Sequence, residues 1–298
     1  MINDKFIDLH VHSNNSDGTF TPKQLLELAD KNNVGMLSIT DHDSISGLAE
    51  FKCNIQYGML GVKGIEFSSF IIDNNEKIKI HILGYCFDEN NYLFQSLVNE
   101  MTEKRIDKHL KLLKEVKEKL KMIPEEEIEK LNIDKYCWFD REVISCLEKA
   151  KYSKEIIDEV RNYYKINRFS YGEDYDLDVK RVIDAIHSSG GYVVFAHPMA
   201  YKFSNDKDKV LRILSKLIHM GIDGVEIYQS DCLSVDTLWL DKIDNKNNLL
   251  SSVGSDFHRI KNSDGRQIGL GINNNLCINE TSLTNEIIKS KKYFRKVK

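Results

Sequence analysis

The chain has 298 residues, of which 41% are hydrophobic and 30% charged, and its formal net charge is −4. This is globular composition, enough for one large α/β domain or one and a half domains. A charge so close to balance excludes broad electrostatic attraction to nucleic acid, so an anionic ligand must be met by local cations or metal ions.

In chain order, Phe6 to Val11 reads as a strand. Pro22 to Asn32 reads as a helix with Leu25, Leu26, Leu28 and Ala29 on one side, Thr21 as N-cap and Pro22 at the first helical position. The apolar runs Met36 to Ile39, Gly61 to Phe67 and Ile78 to Phe87 read as further strands. This order suggests βα units and a largely parallel sheet. From Tyr92 to Leu131 the chain is charged and helix-favouring, with Leu97, Met101, Leu110, Leu113, Val116 and Leu120 near helical spacing and Pro124 as a stop. Another helical pattern runs from Arg141 to Tyr164. The βα rhythm then resumes with a helix around Val179 to Ile186 closed by Gly190 and Gly191, the strand YVVFAHP, a helix at Val210 to Met220, the strand GVEIY, and LLSSVGSDFH. The organisation expected is an α/β barrel over residues 1–94 and 174–298, interrupted by a helical insertion over 95–173. A doubly wound open sheet is the alternative.

The six cysteines form no C-x-x-C pair and read as free thiols in a reducing compartment. The start, MINDKFIDLHVH, lacks the basic and apolar regions of a signal peptide, and no apolar stretch is long enough for a bilayer, so a cytoplasmic location is expected.

Six of the nine histidines stand at the ends or edges of these strands: His10, His12, His42, His81, His197 and His258. Residues two apart in a strand share a face, so His10 and His12 can converge on one ion, as can Asp256 and His258. Asp17 lies in SNNSDG, where Gly18 permits a turn that folds the carboxylate back over the strand end. His42 follows an apolar run within ITDHDS, with Asp41 and Asp43 placed to orient it. Glu66 ends the strand VKGIE, and a carboxylate buried there needs a partner. His81 sits inside an apolar strand pattern and His197 precedes Pro198. Each of these has an ordinary structural explanation alone; their shared address at strand ends points to a metal site. Six histidines, two aspartates and a glutamate, without cysteine, suit Mn²⁺, Fe²⁺ or Zn²⁺, and nine ligands are enough for three ions. His109, His187 and His219 fall in helical patterns and read as structural or surface residues.

At LHVHSNNSDGTFTP, SITDHDSISG, GIEFSS, HILGY, AHP, GVEIY and GSDFH the sequence resembles the PHP (polymerase and histidinol phosphatase) superfamily. The S-D-G after H-x-H resembles its small phosphoesterases acting on nucleoside mono- and bisphosphates. The resemblance implies a distorted seven-stranded β/α barrel with a helical insertion. It implies one ion held by His10, His12, Glu66 and Asp256, a second held by Glu66, His81 and His197, and a third held by Asp17, His42 and His258. The sequence departs from those relatives where a Gly-Arg-Pro-His stretch is usual, reading WFDREVISCLEK, and where Gly-Arg-Tyr often follows His-Pro, reading MAYK.

The activity expected is hydrolysis of phosphate monoesters of nucleoside mono- or 3′,5′-bisphosphates by a metal-activated hydroxide, with three Mn²⁺ ions. Asp17 or His42 is expected to position the nucleophile or protonate the leaving oxygen. Arg105, Arg141 and Lys202 are the leading cations for a substrate phosphate, with Arg168 and Arg259 behind them. Rival expectations are a 5′→3′ exonuclease on short oligonucleotides, a histidinol-phosphatase-like enzyme, and a metal-binding regulatory module. The expected partner is a small phosphorylated molecule, with no membrane and no obligate protein partner.

Overall fold

The structure, a computed structural model, describes residues 4–120, 144, 147–149, 151–167, 175–260 and 265–296. They form two compact units, one from Met1–Leu97 with Leu177–Lys298, the other from Val98–Asp176.

The first unit is a mixed α/β fold around a central sheet. Its strands are β1 (Phe6–Val11), β2 (Val34–Ile39), β3 (Leu60–Asp73), β4 (Glu76–Tyr85), β5 (Leu177–Asp178), β6 (Tyr192–Phe195), β7 (Gly224–Gln229), β8 (Leu250–Gly254) and β9 (Phe294–Arg295). The order is β1-β2-β3-β4-β6-β7-β8, with β5 and β9 each pairing β3. The ladders β1·β2·β3 and β6·β7·β8 are parallel, but β4 runs antiparallel to both β3 and β6. The largely parallel sheet expected is therefore broken at β4 and at the short β9, which pairs antiparallel to β3, and at β4 for a local reason. β3 and β4 are one long hairpin turning at Asn74 and Asn75, with φ of 51° and 66°. Two consecutive left-handed residues make the turn that matches strand twist, and asparagine tolerates that conformation.

The strand ladders do not close a barrel, because β1 and β8 are the two ends of the path. β8 stops at Gly254, and Asp256, with φ of 53°, breaks the extended run. Beyond it the chain still reaches β1: Asp256 N–H donates to His10 O at 2.9 Å and His12 N–H to Phe257 O at 2.9 Å.

Helices α1 (Pro22–Lys31) and α2 (Leu48–Asn54) cover β2. Thr21 caps α1 as expected: its hydroxyl accepts from Gln24 N–H at 3.3 Å, and the Gln24 side chain accepts from Thr21 N–H at 2.9 Å. Leu25, Leu26 and Ala29 of α1 pack with Val34, Leu37, Phe51 and Ile55. A leucine buried this way contributes about 1.5–3 kcal/mol. A second core joins Ile7, Leu9, Met36, Val62, Leu83, Tyr85, Val194 and Val253. The helix α3 (Tyr92–Leu120) starts in the first unit, and α4 (Lys154–Asn167) belongs to the second. The expected Arg141 to Tyr164 helix is interrupted, since Lys151 is left-handed at φ 60°. The remaining helices are α5 (Val179–Ser188), α6 (Lys207–Met220), α7 (Ser234–Asn247) and α8 (Ser282–Ser290). Among the described residues no helix is long and apolar enough to cross a membrane. Cys53, Cys86, Cys232 and Cys277 are free thiols, while Cys137 and Cys146 lie outside the described residues.

Candidate metal centre

Glu66 is the hub of the site. It is fully buried on β3. The chain leaving β2 runs beside it, with Glu66 N–H donating to Asp41 O at 3.3 Å and Asp43 N–H donating to Glu66 O at 2.8 Å. That pairing sets His42 opposite Glu66. Glu66 Oε2 lies 3.2 Å from Nε2 of His10, 3.2 Å from Nε2 of His12 and 3.1 Å from Nδ1 of His42. Its other oxygen, Oε1, lies 2.9 Å from Nδ1 of His81 and 2.8 Å from Nε2 of His197. One carboxylate thus faces five imidazoles.

The remaining groups complete three overlapping constellations, within each of which the ligand atoms lie no more than 4.8 Å apart: His10, His12, Glu66 and Asp256; His42, Glu66 and His81; and His12, Asp17, His42 and His258. His10 and His12 share a face as their spacing requires, their Nε2 atoms 3.1 Å apart. Asp256 Oδ1 is 3.2 Å from His12 Nε2. Asp17 Oδ1 is 3.1 Å from His258 Nε2 and 3.6 Å from His12 Nδ1. The SNNSDG turn does fold back: a Cβ on Gly18 would fall 2.0 Å from His12 O, so only glycine fits. His197 joins the Glu66–His81 group, its Nε2 3.3 Å from His81 Nδ1. All nine residues singled out in the sequence converge. His10, His12 and Glu66 form a dry floor, whereas His81 is 32% exposed and Asp17 26%, so the opposite side is open to a substrate.

Other residues hold this set in place, and sequence reasoning missed two of them. Glu226, fully buried on β7, accepts from His10 Nδ1–H at 2.9 Å and from His197 N–H at 2.8 Å. The signal was there, a lone carboxylate inside the apolar strand GVEIY. Asp8, buried on β1, accepts from the backbone N–H groups of His10, Ser255 and Gly269 at 3.2, 2.9 and 2.7 Å. Its burial raises its pKa to about 6 despite those bonds. Asp41 and Asp43 tie down loops. Asp41 accepts from Ser13 N–H, Ser13 Oγ and Ser16 Oγ at 2.7, 2.6 and 2.6 Å, fixing the turn that carries Asp17. Asp43 accepts from Ser68 N–H and Oγ at 2.7 and 2.9 Å.

The expected substrate cations are not gathered in the same way. Lys202 and Arg259 are exposed, Arg105 lies on α3 in the other unit, and Arg141 and Arg168 fall outside the described residues. His187 Nε2 lies 2.9 Å from Asp223 and His219 Nδ1 2.7 Å from Ser215 O; both stand outside the constellations.

The donor set fits divalent ions. His12 Nδ1, Asp17 Oδ1, His42 Nδ1, Glu66 Oε2 and His197 Nδ1 are buried without a hydrogen bond, although four of the five crowd other ligand atoms at 3–4 Å. Buried polar atoms are normally paired, and a shared cation satisfies them together. The charge balance agrees. Burial favours neutral Glu66 and Asp256, yet the surrounding histidines hold both well below the usual carboxylate range. Burial opposes a charged His10, but Glu226, Glu66 and Asp256 keep it well above its ordinary pKa. Against the same opposition, the nearby carboxylates of Asp256, Glu66 and Asp17 raise His12 to about 10. At His42 burial prevails and lowers the pKa to about 3. The carboxylates at the centre demand positive charge, which in the metal-free protein protons on imidazole supply.

The PHP domain family matches residues 8–171. The 5′-3′ exoribonuclease Rnm of Escherichia coli (strain K12) is 28% identical over 260 residues, 85% of each chain. The phosphoribosyl 1,2-cyclic phosphate 1,2-diphosphodiesterase of Eggerthella lenta is 29% identical over 84% of this chain and 93% of its own. The 3′,5′-nucleoside bisphosphate phosphatase of Chromobacterium violaceum is 24% identical over 88% and 90%. In fold, an amidohydrolase from Chromobacterium violaceum, solved with bound sulfate and no metal, superposes with a TM-score of 0.70 at 20% identity over 97% of each chain. The chain belongs to the PHP family. It is a metal-dependent phosphoesterase, a hydrolase, which sets aside the purely regulatory reading.

Proposed function

We propose that this enzyme hydrolyses the phosphoester of a nucleoside mono- or 3′,5′-bisphosphate, using three divalent ions, with Mn²⁺ the first choice. The observation that carries this is the convergence of His10, His12, Asp17, His42, Glu66, His81, His197, Asp256 and His258 into overlapping constellations around one carboxylate. His10, His12, Glu66 and Asp256 would hold one ion, Glu66, His81 and His197 a second, and Asp17, His42 and His258 the third. Ions bound there would lower the pKa of a water and offset charge on phosphoryl oxygens. Asp17, surrounded by His12, His42 and His258 and held ionised by them, orients a water. His42, neutral through burial, offers one ring nitrogen as an acceptor. Lys202, Arg105 and Arg141 remain the proposed phosphate contacts. The near meeting of β1 and β8 supports a distorted seven-stranded barrel as the frame, with the helical segment 95–173 inserted in it. Free thiols at the four described cysteines support a reducing, cytoplasmic setting.

A second reading, 5′→3′ exoribonuclease on short RNA, is favoured by the coverage of the Escherichia coli relative. The two are chemically adjacent, since a nucleoside 3′,5′-bisphosphate is a one-nucleotide RNA phosphorylated at both ends. The test is turnover of a 3′,5′-bisphosphate against a 5′-phosphorylated dinucleotide, with protein stripped of metal and reloaded with Mn²⁺. Faster phosphate release from the bisphosphate supports the first reading, and preference for the dinucleotide supports the second. No turnover of either refutes both. Elemental analysis of protein purified without added metal decides the ion and its count.

A further inference from the structure

We infer that Arg266 is the positioning residue that sets two metal-binding side chains, Asp256 and His258, through backbone carbonyls and through the Asp256 carboxylate, whose Oδ2 lies 3.9 Å from Arg266 Nη1; this rests on the metal-dependent reading above. Arg266 Nη1 donates to Ser255 O at 2.7 Å and to Asp256 O at 3.4 Å. These are the carbonyls of the peptides before and after the Asp256 side chain. One guanidinium nitrogen therefore fixes both peptide planes at a residue whose φ of 53° an aspartate does not adopt freely. The Asp256 carboxylate is thereby aimed at His10 and His12, 3.5 and 3.2 Å away. The same carbonyl, Asp256 O, accepts from His258 Nδ1–H at 2.9 Å. That bond turns the ring so that His258 Nε2 is directed at Asp17, 3.1 Å off. A single side chain thus governs one ligand in the His10–His12–Glu66–Asp256 group and one in the His12–Asp17–His42–His258 group.

Arg266 is itself held. Its Nη2 donates to both oxygens of Asp231, at 3.0 and 2.8 Å. Asp231 stands just past the end of β7, so the clamp joins the exits of β7 and β8. Ser230 Oγ reinforces it, donating to Ser255 O at 2.7 Å, and Asn275 Nδ2 donates to Ser230 O at 2.8 Å. The planar fork of arginine is required: a lysine ammonium cannot meet two carbonyls and a bidentate carboxylate at once.

The experiment compares wild type, Arg266→Lys, Arg266→Met and Asp231→Asn as full-length proteins freed of metal by chelation. Mn²⁺ is titrated calorimetrically without substrate, and the melting temperature of each metal-free protein is recorded. The expected result is Mn²⁺ affinity weakened about 10- to 100-fold, or one site lost, in both Arg266 variants, as for other groups that orient metal ligands. Asp231→Asn shows a smaller loss in the same direction, and kcat falls while KM holds. Unchanged Mn²⁺ affinity and stoichiometry with a lowered melting temperature would make Arg266 a loop clamp only and overturn the inference. A raised KM with Mn²⁺ binding intact would make it a substrate contact and overturn it equally. Should Arg266→Met fail to fold, Arg266→Lys and Asp231→Asn carry the same decision. If wild type binds no Mn²⁺, Zn²⁺ or Fe²⁺, the metal-dependent reading itself falls, an outcome distinct from equal binding by wild type and variants.

Discussion

Replacing Glu226 by glutamine changes the hydrogen-bonding sense of one group and almost none of its volume. In the native protein both carboxylate oxygens accept, one from His10 Nδ1–H and the other from His197 N–H. Glutamine has a single acceptor oxygen, so one of these donors must face an NH₂ group. If the amide oxygen stays with His197, the NH₂ donates to His10 Nδ1 and the imidazole proton moves to Nε2, the nitrogen aimed at Glu66 and Asp256. A protonated nitrogen cannot bind a metal ion. If the oxygen stays with His10, a buried backbone N–H loses its acceptor and the charge-assisted bond is weakened, at a cost of about 1.5–3 kcal/mol. Either way, Mn²⁺ affinity should fall about 10- to 100-fold, equivalent to roughly 1.4–2.7 kcal/mol. Calorimetric titration of Mn²⁺ into chelator-treated protein near neutral pH reads this directly, and circular dichroism checks that the fold persists. Affinity within about twofold of wild type would refute the claim that Glu226 sets the tautomer of His10.

Gly254→Ala should be severe, because the new Cβ would lie 2.1 Å from His10 Cβ and 2.4 Å from Glu226 Oε1. A loss of about 3 kcal/mol or more is expected from such overpacking, and a melting temperature unchanged from wild type would count against it. Metal loading should stabilise the protein: at Mn²⁺ near 100 times its Kd the gain is about 2.7 kcal/mol, visible as a rise in melting temperature that chelator reverses. A melting point indifferent to both additions would sink it. Asp244 on α7 gives a pH prediction away from the site. Burial, with Asp241 nearby, raises its pKa to about 7 from 3.8, and its Oδ1 lacks a hydrogen bond. The folded form holds the proton more tightly than the unfolded one, so stability is lost as pH rises from about 4 to 7. At roughly 1.4 kcal/mol per unit the ceiling is about 4 kcal/mol. Asp244→Asn should therefore stabilise by about 2 kcal/mol above pH ~8 and by almost nothing near pH ~4. Equal effects at both pH values in urea denaturation would dispose of it.

Much of the centre was legible because ligand chemistry is written in residue types that apolar strands otherwise avoid. H-x-H, D-x-H and a glutamate ending an apolar run each state a face, and the strands bring those faces together. The supporting residues were harder to read. Glu226 and Asp8 are single acids within strands, and only the fold reveals which donors stand opposite them. Arg266 follows a segment without periodicity, so nothing local set it apart from a surface cation. The β3–β4 hairpin was read as two separate strands because its outer halves, SSFIID and EKIKI, mix polar and apolar residues around an unremarked Asn-Asn turn. α7 escaped notice because Leu233 at its N-cap, and Val235 and Leu238 within it, stay exposed, leaving no apolar stripe to detect. The substrate cations were the weakest reading, since a positive residue in a helix carries no information about which surface it will face.

The spacing of the site along the chain has a consequence for biosynthesis. Glu66 and His81 belong to one hairpin and meet through local pairing soon after both have emerged. His10 must wait for Glu226, 216 residues later, and Asp8 for Ser255, 247 residues later. Contacts of such long range form only after most of the polypeptide has been made. A nascent or truncated chain can therefore display a partial histidine cluster but not the whole set. Hydrolytic competence arrives as a late certificate that the β1 and β8 regions have found each other, and a product ending before Asp256 lacks two of the nine converging side chains however well its first half has folded.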